Sequence, residues 1–195
     1  MPREQTTSIE LVEADTVRQV SAAVMIAALT AMLAQFSIQL PGGVPFSFQP
    51  FGIFFAGLLL GPLWGGFSIS LYVLVGLAGA PVYSNGGAGL GYVLGPTGGF
   101  LVGFLVAAAV IGIVAHRSLR PTPVADLSAV STTVALLAGI AVVYLIGVPW
   151  LAAVNGLAIT QAASAMALFA VGDLLKIGIA VGIVAGGNEL LADLR

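Results

Sequence analysis

The chain has no cysteine among its 195 residues. That excludes a disulfide framework and any thiolate metal site, and it leaves the redox compartment open. Charge is almost as scarce: Asp, Glu, Lys and Arg make up 7% of the sequence, against roughly 25% in ordinary soluble domains. There is one histidine, His116, and Lys and Arg together number six. A nucleic-acid interface needs a basic stripe interleaved with aromatics, so nucleic acid is not expected as a partner. The clustered acids, histidines or nucleophiles that an enzyme would turn towards one cavity are missing too. The run GGAGLG (86–91) lacks the G-x-G-x-x-G spacing and follows no strand, which excludes a phosphate cradle.

What the chain has in quantity is apolar residues, 59% of the total, with a mean hydropathy of +1.10. No soluble fold hides that much apolar surface. A spanning helix needs about 20 such residues, and the stretch from position 17 to about 185 has room for six short or ordinary spans. The fold class expected is therefore an all-α integral membrane protein, with about six transmembrane helices in a single domain over 17–193. Residues 1–16 are polar and acidic. They lack the basic start and apolar middle of a secretory signal, and read as a cytosolic N-terminal tail.

Glycine and proline punctuate the domain. Span one, 19–40, stops at Pro41-Gly42-Gly43. The loop GGVPFSFQP leads to spans two and three, 51–60 and 64–78, which are separated by the tight turn Gly61-Pro62. An uncharged glycine-rich segment, 79–99, comes next and reads as irregular. Span four covers 100–115, and the polar connection with His116, Arg117 and Arg120 follows it. Span five covers 128–151. The last apolar region, 156–187, is too long for one span, so the final helix is expected to start near Gly172-Asp173, with 158–170 re-entrant or on the surface, or else near Ser164, which would put Asp173 nearer the middle of the membrane. Both versions bury Asp173. Trp64, Trp150 and Tyr144 suit interfacial anchors, and His116 suits solvent or headgroups.

Positive residues near span ends favour the cytosol. Arg3, Arg18, Arg117, Arg120 and Arg195 all fall on the side of the N-terminus, the even-numbered loops and the C-terminus. Both termini are thus expected in the cytosol, with the glycine-rich segment outside.

Within the apolar body two ionisable residues remain, Asp173 and Lys176, three apart on one helix face. A charge at the bilayer centre costs about 2.5–3.5 kcal/mol on insertion scales, so something must compensate them. Either they pair and pin the last helix, or they line an outward cavity, Asp173 accepting from ligand N–H groups and Lys176 donating to a carbonyl or carboxylate. In the glycine-rich segment, Tyr83, Asn85 and Tyr92 could offer hydrogen bonds to a ligand; the segment could equally be a plain turn. Ala23, Ala27 and Ala31 form a small-residue stripe that lets another helix approach closely, whether inside the bundle or from a partner.

Several segments together resemble one family: PGGVPFSFQPFGIFFAGLLLGPLWG (41–65), GLAGAPVY (76–83), LGPTGG (94–99), YLIGVPWL (144–151) and GDLLK (172–176). In this order and spacing they are similar to BioY, the biotin-specific substrate-binding (S) components of energy-coupling factor transporters. The resemblance implies a six-helix S-component bundle that captures biotin from outside without a cofactor and without enzymatic activity. It also implies partners in the bilayer and beneath it: a transmembrane coupling subunit and two cytosolic ATPases. The ligand-binding residues it implies are Asp173 and Lys176, joined by Asn85, Tyr83, Gln49 and Gly87. Ala23, Ala27 and Ala31 would be the docking stripe for the coupling subunit. The chain departs from the family pattern at Gly87, where an asparagine or arginine is often found, and at Val171, where a proline is usual. An S component for another small vitamin, or a structural membrane protein with no ligand, are the alternatives these departures leave.

Overall fold

The computed structural model describes residues 3–39 and 44–193. The elements run α1 (Arg3–Gln35), β1 (Ser37–Gln39), β2 (Pro45–Ser47), α2 (Gln49–Leu77), α3 (Gly89–Leu94), α4 (Gly98–His116), α5 (Ala129–Asn155) and α6 (Ile159–Asp193). Five of these helices, α1, α2, α4, α5 and α6, are long and apolar enough to cross a membrane. The protein is a multi-pass membrane protein.

The sixth expected span is inside α2. Gly61 has φ 72° and ψ −174°, outside any helix, and Pro62 follows it. Glycine tolerates that conformation, while proline removes the next backbone donor. The helix folds back there into two arms, as the Gln49–Tyr72 hydrogen bond of 2.6 Å between its two ends requires. These arms are the expected spans two and three.

Three boundaries differ from expectation. α1 begins at Arg3, so the described part of segment 1–16 is continuous with the first span rather than a separate tail. α1 also ends at Gln35 instead of reaching position 40. The next residues form an antiparallel ribbon, with Ser37 opposite Ser47 and Gln39 opposite Pro45. Finally, α6 runs unbroken through Gly172-Asp173, so no re-entrant segment precedes it. Asp173 does not cap a helix because its carboxylate is engaged sideways, and Gly172 leaves a gap on the helix that the Phe46 ring fills.

Packing gives the bundle two unlike ends. At one end the Gly61 turn rests on Pro121, and His116, buried to 6% exposure, pins the same turn. Its Nε2 lies 3.2 Å from the Gly57 carbonyl oxygen, and its Nδ1 accepts from the Thr122 N–H at 3.2 Å. His116 is therefore a tie between α4 and α2, not the solvated residue expected from its polar neighbours. At the other end lie the ribbon, the 79–88 loop and α3.

The alanine stripe faces inwards. Ala23 and Ala27 are buried, and Ala31 is half-buried against the same core. Ser68 of α2 donates a 2.8 Å hydrogen bond to the Ala23 carbonyl. Small side chains there let α2 lie against α1, the internal of the two packing roles open to the stripe.

Candidate functional site

The pocket lies at the ribbon end, between β2, the start of α2, α4, α5 and α6. Its apolar wall is built from Val44, Phe46, Phe100, Leu101, Phe104, Ile140, Val143, Met166 and Phe169. All but Val44 and Phe46, which lie at the ribbon, come from apolar helix faces turned inwards, so burial fixes them without any polar guide. Its polar groups are few: Ser47, Gln49, Tyr92, Thr97, Tyr144, Asp173 and Lys176. The space open to the centre of a water-sized sphere is about 60 Å³.

Asp173 and Lys176 sit together on one face of α6, each less than 10% exposed. Lys176 Nζ donates to Asp173 Oδ1 at 2.8 Å. The second carboxylate oxygen accepts from the Tyr144 hydroxyl, also at 2.8 Å. Lys176 Nζ further lies 3.9 Å from the centre of the Phe46 ring, within range of a cation–π attraction. The pair is thus compensated on both sides. It is not exhausted: a carboxylate has about four acceptor sites and an ammonium has three protons. The site offers an acceptor and a donor side by side in an apolar chamber, the pattern that recognises a group carrying N–H and C=O together.

Gln49 also faces this pocket, at the first turn of α2. Its Oε1 accepts from Ser47 (2.8 Å) and Ser84 (2.6 Å), while its Nε2 donates to the Tyr72 hydroxyl. Tyr72 in turn donates to the Val82 carbonyl at 3.2 Å. Gln49 therefore ties the 79–88 loop to the floor of the pocket.

The other expected residues lie elsewhere. Tyr83 is fully buried behind the pocket, its hydroxyl donating to the Val73 carbonyl at 2.5 Å and its ring stacked on Tyr92 at 4.9 Å. Burial pushes its phenol up to about 12, so it stays a neutral donor. Asn85 is exposed and left-handed, with φ 58°. It bonds the ribbon: its Nδ2 donates to Gln39 Oε1 at 2.8 Å, and its Oδ1 accepts from Ser37 at 2.9 Å. Neither Tyr83, Asn85 nor Gly87 borders the main pocket. Asn85 and Gly87 line a second, outer cleft, with Gln39, Pro45, Ser84, Gly91, Tyr92, Gly95, Pro96 and Thr97. Pro45, Tyr92 and Thr97 border both cavities and form the threshold between them.

Gly87 is explained by Tyr92. A Cβ at position 87 would run into the Tyr92 ring. The sequence reading also missed Phe46 and Tyr144 as partners of the charged pair. Tyr144 stood out only as an aromatic near a span end, and nothing in its spacing links it to a residue 29 positions away.

Comparison with known proteins agrees with this architecture. The BioY family model matches residues 4–193. The chain is 37% identical over 158 residues to the biotin transporter BioY of Rhodobacter capsulatus, a match covering 76% of this chain and 80% of that protein. It is 38% identical over 169 residues to the probable biotin transporter BioY of Lysinibacillus sphaericus, covering 87% and 82% respectively. Among solved structures, it is similar to the S-component for biotin from an ECF-type ABC transporter, with a TM-score of 0.80 and 25% identity over 92% of this chain and 93% of that one. The folded-back second helix, the charged pair in α6 and a family match spanning nearly every residue lead to one conclusion: the chain belongs to the BioY family.

Proposed function

We propose that this protein is the substrate-capturing membrane subunit of a vitamin importer, that its ligand is biotin, and that it is neither an enzyme nor dependent on a cofactor. One observation carries the choice of ligand at the site itself: Asp173 and Lys176 present acceptor and donor next to each other at the pocket's polar pole. The ureido ring of biotin carries N–H donors and a carbonyl acceptor on one edge, which complements that pole. Its thioether-containing bicycle suits the wall of Phe100, Phe104, Met166 and Phe169. A carboxylate placed at the same pole would lie against Asp173 and be repelled, so the ureido head goes inwards.

The 79–88 loop and α3 are short elements held by the Gln49 and Asn85 hydrogen bonds and by the packing of Tyr83 on Tyr92, and they serve as the lid. Arg117 and Arg120 flank the turn end, which supports a cytosolic placement of that end and of both termini, with the pocket facing outside. Energy comes from a transmembrane coupling subunit and two cytosolic ATPases, as membership of the family implies.

Calorimetric titration of the purified protein with biotin tests this reading, with Asp173→Asn and Lys176→Ala alongside. Tight binding that both substitutions weaken at least a hundredfold supports it. A charge-swapped protein, Asp173→Lys with Lys176→Asp, separates the alternatives: if a purely structural pair is all that matters, fold and stability survive the exchange and no form binds biotin.

A further inference from the structure

We infer that the outer cleft receives the side chain of the ligand without using its charge, so that the site accepts biotin derivatives whose carboxylate has been converted to an ester or amide. The inference rests on the biotin reading above, and it names the class of molecules that reading admits.

The two cavities share Pro45, Tyr92 and Thr97, so a ligand whose head lies against Asp173 and Lys176 can extend its tail across that threshold into the outer cleft. The cleft beyond is lined among the described residues by hydroxyls, carboxamides and glycine, namely Ser84, Tyr92, Thr97, Gln39 and Asn85, with no Lys, Arg, Asp or Glu. The one cation in the main pocket, Lys176, is already paired with Asp173 at 2.8 Å. Nor can position 87 contribute a cation from within the loop, because the Tyr92 ring fills the space its side chain would need. A carboxylate in this cleft therefore meets neutral donors only. Hydrogen bonds to a charged partner are worth about ten- to a hundredfold in affinity, neutral ones less. An ester or amide gives up the charge assistance of those bonds, about tenfold, and nothing more, because no cation in the cleft answers the carboxylate; hydroxyls and carboxamides still hydrogen-bond the ester or amide oxygen.

The test is a competition series against radiolabelled biotin on the detergent-solubilised protein, using biotin, biotin methyl ester, biotinamide, and biotin methylated on a ureido nitrogen. The ester and the amide are expected to compete within about tenfold of biotin, while the head-methylated compound competes at least a hundredfold more weakly. If biotin binds tightly but the ester and amide are each more than tenfold weaker, the tail is read by charge and the inference is overturned. If biotin itself does not bind, the failure lies with the ligand assignment instead. A second arm introduces the missing cation. Position 91 is exposed and a side chain there meets open space on the cleft wall, so Gly91→Arg should raise the preference for biotin over biotinamide about fivefold, the scale of a solvent-accessible ion pair. An unchanged ratio would show that the tail does not pass through this cleft.

Discussion

The turn end and the ribbon end of the bundle use the same breakers, glycine and proline, and do opposite things with them. At the turn end, Gly61-Pro62 reverses α2 within two residues, and the reversal is sealed against Pro121 and tied by His116 to Gly57 and Thr122. At the ribbon end, the glycines of 79–99 leave a loop and a six-residue helix that adhere through the hydrogen bonds of Ser84 to Gln49, Asn85 to Gln39 and Tyr83 to Val73, and through the stacked rings of Tyr83 and Tyr92. The first arrangement locks the reversal to its neighbours. The second puts the ligand chamber beneath a cover whose attachments can be broken one at a time without disturbing the helices, as sites that open and close require.

The sharpest way to break this contrast is to change the charged pair. Asp173→Asn leaves Lys176 buried without its counter-charge, and should lower stability by about 3–5 kcal/mol as well as abolish biotin binding. The double change Asp173→Leu with Lys176→Met should restore a melting temperature near that of the parent, since apolar replacements of a buried pair are often neutral or better, yet still bind no biotin. Thermal unfolding followed by titration of the same samples checks both halves; binding by the double variant would place the ligand elsewhere.

His116→Ala acts at the opposite end. It strips the buried Gly57 carbonyl and the Thr122 N–H of their partner, and should cost about 2 kcal/mol while changing biotin affinity by less than threefold. A large loss of affinity in a folded His116 variant would mean that the turn end also opens.

Gln49→Leu removes the bonds from Ser47, Ser84 and to Tyr72 together. It should weaken binding about tenfold, mainly through faster dissociation, because the cover loses its tie to the floor. Stopped-flow release of a fluorescent biotin would show it. Asn85→Ala loosens only the exposed join between loop and ribbon, and a change of about twofold in the same dissociation rate is expected.

Much of this was legible in the chain. Gly61-Pro62 marked the reversal because glycine and proline have few other uses inside an apolar run, and Asp173 with Lys176 stood out because charge is so rare there. The ribbon was not legible: its strands are three residues each, with no alternating pattern to distinguish them from loop. The continuity of α6 was hidden because Gly-Asp usually opens a helix, and only the distant Tyr144 and Phe46 reveal why it does not here. Burial of His116 escaped for the reverse reason. Its neighbours in sequence are polar, while its neighbours in space, Gly57 and Thr122, lie on two other segments.

The contact between Gly87 and the Tyr92 ring also sets an order on change at the two positions. As the ring stands, it takes the space that a side chain at 87 would need. Enlarging position 87 therefore requires the ring at 92 to swing away or shrink, whereas shrinking position 92 alone meets no clash. A side chain placed at 87 alone should loosen the loop, and a small residue at 92 beside it should restore the fit.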